Sequence, residues 1–134
     1  MTTAGYSGKP LSAKLGLKPG QRLLIVDGPA HVDELIADVQ DVMRLRRLAA
    51  FDVGWIFVVR AEGLAARLDA MLPKLAQGGM IWVSWPKKAS RVTTDVTEDR
   101  VRAAALPLGL VDVKVCAVDE TWSGLKLMRR RVAR

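Results

Sequence analysis

The sequence predicts a single α/β domain: a mostly parallel, doubly wound sheet with helices on both faces and a C-terminal antiparallel hairpin. Three observations carry this. Unbroken apolar runs such as 23–26 and 53–59 read as strands buried on both faces. Segments with apolar residues at helical spacing separate them, the alternation of a parallel sheet crossed by helices. The tail then switches to a period of two, which reads as two antiparallel strands.

In chain order, residues 1–8 are small and polar and are expected to form a flexible tail ahead of one domain over 9–134. Pro10 to Leu15 suits a short helix, with Pro10 at its first turn and Gly16 as its stop. Lys18-Pro19-Gly20 is a turn signal, followed by the strand Leu23-Leu24-Ile25-Val26. Val32, Leu35, Ile36 and Val39 then fall on one helical face. Met43 to Leu48 alternates apolar and basic residues, as expected of a half-exposed edge strand.

Val53 to Val59 carries the clearest strand signal, being rich in β-branched and aromatic residues. A helix is expected over Leu64, Leu68, Met71, Leu72 and Leu75, kinked or shortened by Pro73, with Gly78-Gly79 as its stop. Met80 to Trp85 is the next buried strand. Asp95-Val96-Thr97-Glu98 has the outline of a capping box, so a helix should run to about Leu106 and end at Pro107 and Gly109. Val111, Val113, Val115 and Ala117, then Leu125 and Leu127, alternate with more polar residues in two strands joined by a six-residue loop.

Composition narrows the function classes. The chain has 134 residues, 50% hydrophobic and 26% charged, which suits one globular domain with a real core. It shows neither a long apolar run nor a signal-peptide pattern, so neither a membrane nor secretion is expected. The single Cys116 rules out an internal disulfide and fits the cytoplasm, and its apolar neighbours predict a packed thiol. His31 is the only histidine, so a metal site is not expected. The net charge of +7 is concentrated in Arg129, Arg130, Arg131 and Arg134. That tail reads as a solvated end, as a nonspecific contact for polyanions such as nucleic acid or anionic lipid or, together with Arg44, Arg46 and Arg47, as a protein- or nucleic-acid-interaction module.

Leu15-Gly16-Leu17-Lys18-Pro19-Gly20-Gln21-Arg22 resembles the approach to the first strand of class I methyltransferases. Gly78-Gly79-Met80-Ile81-Trp82 resembles the entry to one of their later strands, and their closing reversed hairpin matches the tail. The resemblance implies a Rossmann-like, reduced methyltransferase-like domain. In those enzymes S-adenosylmethionine lies on a Gly-x-Gly-x-Gly loop after the first strand, and an acid after the second holds its ribose. Here Asp27-Gly28-Pro29-Ala30-His31 carries one glycine and a proline, and Arg46-Arg47-Leu48 replaces the acid, so no cofactor is expected. Little room remains for a strand-helix unit between Leu48 and Phe51, and the core is expected to be shortened.

A second resemblance is more specific. Gly5-Tyr6-Ser7-Gly8-Lys9-Pro10-Leu11, Trp85-Pro86-Lys87-Lys88-Ala89-Ser90 and Asp119-Glu120-Thr121-Trp122-Ser123-Gly124-Leu125-Lys126 are similar to features shared by a family of short bacterial proteins of unknown function. That family implies no activity, substrate or partner.

In a doubly wound sheet, ligands gather at the C-terminal ends of the parallel strands. Asp27, Arg60, the Trp85 to Ser90 segment and the Asp119 to Gly124 segment should share that rim. The candidate ligand-binding residues are therefore Asp27, Trp85, Lys87, Lys88, Ser90, Asp119, Glu120, Thr121, Trp122 and Ser123. Lys87, Lys88 and Ser90 suit a phosphate or carboxylate. Asp119 and Glu120 suit pairing with those lysines or acid/base work, and Trp122 suits an apolar wall. The bland alternative is a turn held by Asp119, with Trp85 packed in the core and Trp122 folded over the sheet edge. No set of nucleophile and base stands out, so no catalytic residue is assigned. Binding of a small anionic ligand, without catalysis, is the expectation. An exposed edge strand also invites pairing between chains, so a homodimer is a further expectation.

Overall fold

The computed structural model describes residues 9–131, so the expected flexible tail 1–8 and the end of the arginine tail lie outside the described residues. Six strands form one sheet: β1 Arg22–Val26, β2 Met43–Leu45, β3 Phe51–Phe57, β4 Leu75–Pro86, β5 Leu110–Ala117 and β6 Trp122–Arg129. Their order across the sheet is β2-β1-β3-β4-β6-β5. The first four strands pair in parallel, and β6 lies antiparallel between β4 and β5. The expected hairpin is present, at the far edge from β2.

Helices cover both faces, giving three layers. On one face α3 (Leu64–Met71) and α4 (Glu98–Ala105) bury Leu64, Leu68, Met71, Val101 and Ala105 against Ile56, Ile81, Val83, Leu125 and Leu127. On the other, α1 (Leu11–Leu15) and α2 (Val32–Leu35) bring Leu15, Val32 and Ile36 onto Val53, Trp55, Phe57 and Trp82. Alternation along β3 sends Trp55 and Ile56 to opposite faces, and both are essentially inaccessible. Polar groups inside are matched: the Trp55 indole N–H donates to Ser84 Oγ at 2.8 Å and that of Trp82 to the Leu15 carbonyl at 2.9 Å.

Several expectations need correction. The helix expected to reach Val39 stops at Leu35, because the next turns close by i-to-i+3 bonds from the Ile36, Ala37 and Val39 N–H groups. Apolar spacing survives there since Val32 and Ile36 still reach the core. Gly78-Gly79 does not stop a helix. The helix ends at Met71, a 3₁₀ turn containing Pro73 follows, and β4 already begins at Leu75. Gly78, at φ 79°, sits in a bulge that lets Leu75 pair with Phe51 and Met80 with Val53.

The cap of α4 is Thr97, whose side chain accepts the Arg100 N–H. Asp95, placed by sequence at the cap, instead accepts the Ala61 N–H at 2.8 Å. In the hairpin, β6 starts at Trp122, so Trp122, Ser123 and Gly124 belong to the strand and the loop is shorter than expected. A bulge at Val113 breaks the alternation of β5, leaving Val113 and Val115 on the exposed edge. Among the described residues, no helix is long and apolar enough to cross a membrane.

Candidate functional site

β5 runs with the parallel strands because two antiparallel steps separate it from β4. The ends of β1, β3, β4 and β5 therefore form one rim, and both polar segments lie on it. Pro86 is paired with Trp122, and the Lys87 N–H donates to the Thr121 carbonyl at 2.7 Å. The expected adjacency of the two segments is thus a backbone contact.

The candidate side chains divide into different environments. Trp85 is buried in the α3–α4 core and offers no wall to a ligand. Trp122 packs edge-on against Phe57, with ring centroids 5.0 Å apart. Ser123 lies within β6, opposite Trp85 and Ala117. Ser90 Oγ donates to the Lys87 carbonyl at 2.6 Å and accepts the Val92 N–H, so the turn already uses its hydroxyl. Asp27 pairs with Arg67 of α3, away from the lysine loop.

Asp119 has the most connected side chain of the set. One carboxylate oxygen accepts the Thr121 and Trp122 N–H groups, both at 2.8 Å. The other lies 2.9 Å from His31 Nε2, tying the β5–β6 loop to the loop after β1. Asp119 therefore fills the turn-holding role, and its side-chain partner is His31 instead of a lysine. With Glu120 and Thr121 it borders a cavity of about 560 Å³ under α1 and α2, whose other walls include Leu11, Lys14, Glu34 and Asp38. Sequence reasoning missed these helix residues. Their only signal was His31 directly before a helical pattern.

A different group of charges gathers above β3 and β4. Thr94 Oγ1 donates to the Val59 carbonyl at 2.6 Å and Asp95 holds the Ala61 N–H, strapping the segment before α4 over the end of β3. Arg60 falls between the two strapped residues Val59 and Ala61 in the chain, and Arg91 precedes the strap in a left-handed backbone conformation at φ 64°. Arg60, Lys88 and Arg91 are exposed and Lys87 is half-buried. Among the described residues none of the four pairs with a carboxylate, whereas Arg22, Arg44, Arg67, Arg100 and Arg102 all do. Arg91 was not anticipated, since its position depends on the strap.

Burial pushes the Cys116 thiol above its ordinary pKa, in keeping with a packed, unreactive group. Lys126, partly buried and directly opposite Lys114 across the hairpin, is pulled below the ordinary lysine value by desolvation and then by its neighbour's charge.

A family profile described as "Protein of unknown function (DUF3052)" matches residues 52–131. The chain belongs to this family. Among solved structures it is similar to a methyltransferase dependent on S-adenosylmethionine from Aquifex aeolicus, with TM-score 0.60 and 14% identity over 87% of this chain and 86% of that one. It is also similar to a ribosomal protein L11 methylase from Lactobacillus delbrueckii subsp. bulgaricus, with TM-score 0.59 and 12% identity over 90% of this chain and 76% of that one. A third similar structure, a methyltransferase from Geobacter sulfurreducens in complex with S-adenosyl-L-homocysteine, gives TM-score 0.56 and 13% identity over 90% and 89% of the two chains. A search among curated proteins found no match. At these identities the likeness establishes a methyltransferase-like Rossmann fold for this DUF3052 protein and nothing about its chemistry.

The loop after β1 does not fit the cofactor of those structures as a glycine-rich cradle would. A Cβ on Gly28 would lie 2.8 Å from Ile25 Cγ2 and 3.2 Å from Val32 Cγ1. A side chain at the loop's one glycine would thus meet the chain's own Ile25 and Val32. Directly after β2 stand Arg46, Arg47 and Leu48, none of them an acid.

Proposed function

We propose that this DUF3052 protein is a non-catalytic binding domain for a small anionic metabolite or nucleotide, held at the C-terminal rim of the sheet. The observation that carries the reading is the group of rim cations, Arg60, Lys87, Lys88 and Arg91, without carboxylate partners among the described residues. Unpaired cations at strand ends favour an anion, and charge-assisted hydrogen bonds fix its orientation. The backbone contact between Lys87 and Thr121 supports including Glu120 and Thr121 at the border of the same site. Methyl transfer is disfavoured by the loop after β1, which carries one glycine and a proline.

The basic strand and tail support nucleic-acid binding less well. Arg46 and Arg47 follow β2 at one edge and the C-terminal rim, whereas Arg129 and Arg130 end β6 at the opposite rim and towards the other edge. One duplex contact would have to bridge opposite corners of the sheet. Pairing between copies belongs to the same proposal, since β2 stands at an edge with Met43 exposed.

Calorimetric titration with inorganic phosphate, citrate and adenosine monophosphate tests the reading. Saturable binding of at least one is expected, weakened about tenfold or more in Lys87→Glu/Lys88→Glu. Absence of binding by all three, or unchanged affinity in that variant, would overturn it. Binding to duplex RNA that weakens steeply with salt would favour the nucleic-acid reading instead.

A further inference from the structure

Three of the crossovers between parallel strands carry a helix: α2 after β1, α3 after β3 and α4 after β4. The connection from β2 to β3, residues 46–50, carries none. Yet the strand order β2-β1-β3 obliges it to pass β1. A crossover helix would ordinarily cover the strand it passes. Here only Arg46, Arg47 and Leu48 arrive, leaving a cleft of about 410 Å³ between this short connection and α3.

The chemistry of the cleft is two-sided. Val26, Leu48 and Ala70 supply accessible apolar surface over the buried Leu24, Ile56 and Met71, and Arg46, Arg47 and Arg67 supply guanidinium groups. The one acid among its walls, Asp27, is already paired with Arg67. Arg46 and Arg47 are exposed and have no carboxylate partner among the described residues. The cleft also opens at the ends of β1 and β3, where the strand order reverses and α/β sheets place ligands.

We infer that this cleft is a second binding site, taking a small organic anion with an apolar body: a carboxylate or phosphate monoester on a hydrocarbon or aromatic group. The body lies against Val26, Leu48 and Ala70, and the head group meets the forked donors of Arg46 and Arg47. The volume falls in the range of small-molecule sites, about 300–1,000 Å³. It shares no side chain with the lysine loop, so it stands or falls apart from the rim reading.

The test is calorimetry on the full chain with octanoate and octyl phosphate, alongside uncharged octanol and inorganic phosphate. Saturable one-to-one binding of at least one amphipathic anion is expected, with octanol and phosphate far weaker. Arg46→Ala/Arg47→Ala should weaken it about tenfold or more. Ala70→Trp, at an exposed position of α3 on the cleft wall, should block it without disturbing the core. Lys87→Glu/Lys88→Glu should leave it unchanged, which separates this site from the rim. Failure of both amphipathic anions to bind would overturn the inference. So would equal binding of octanol or of phosphate alone, or undiminished binding in the arginine variant.

Discussion

The two faces of the sheet are covered by helices of different length. On the α3–α4 face, both helices are eight residues long and lay apolar side chains on the strands, with Leu68 and Val101 wholly buried. The opposite face has helices of only five and four residues. Such short helices leave many of their backbone groups without partners inside the helix. They still bring Leu15, Val32 and Ile36 onto a buried core that includes Trp55 and Trp82. Directed polar contacts add to that burial: Trp82 to the Leu15 carbonyl, Ser12 Oγ to Asp38 at 2.5 Å, and His31 to Asp119. Buried area holds both faces, and placed hydrogen bonds also pin the short helices of the second. The cavity bordered by Asp119 lies on the pinned face.

The largest effect should come from the α3–α4 face. Leu68→Ala leaves a void among fully buried neighbours and is expected to lower unfolding free energy by about 2–5 kcal/mol, read from chemical denaturation. A loss below about 1 kcal/mol would mean that this face is not a main store of stability. Trp82→Phe keeps most of the apolar contact but removes the indole donor. It should cost about 1–3 kcal/mol. Hydrogen exchange should quicken in α1 while α3 and α4 stay protected. Uniform loss of protection would erase the contrast between the faces.

The smallest effect lies within the sheet. The Asp52 carboxylate accepts the Arg22 guanidinium at 3.0 and 3.1 Å and the Arg22 N–H at 2.8 Å, which holds its pKa below the usual carboxylate range. Asp112 is lowered in the same direction by Arg102. A carboxyl with a depressed folded-state pKa contributes stability at neutral pH, lost as pH falls through that value. Stability should therefore decline below about pH 4, and Asp52→Asn should flatten this acid limb. An identical acid limb in that variant would assign the decline to other groups.

Much of the fold was legible because burial imposes its period on the chain. The continuous apolar character of β1 and β3, the spacing of Leu64, Leu68 and Met71, and the alternation in the tail each report which side chains leave water. What burial does not report is backbone hydrogen bonding. Val32 to Val39 kept helical spacing while most of it folded into tight turns, and Gly78-Gly79 became a bulge inside a strand instead of a helix stop. The site was legible only as a neighbourhood. Lys87 and Thr121 were expected on one rim and are joined there, but the destinations of their neighbours were not encoded locally.

By itself, then, the sequence determined the alternation of strands and helices, the antiparallel tail and the loss of a glycine-rich loop, since each depends on residues close together in the chain. Tertiary structure alone decided that Trp85 turns inward, that Asp119 takes His31 as its partner, and that the segment before α4 is strapped to the residues on either side of Arg60. It also decided that a five-residue crossover leaves Arg46 and Arg47 beside an apolar cleft. These are meetings between residues distant in sequence, set by strand order and register, and no local pattern records them.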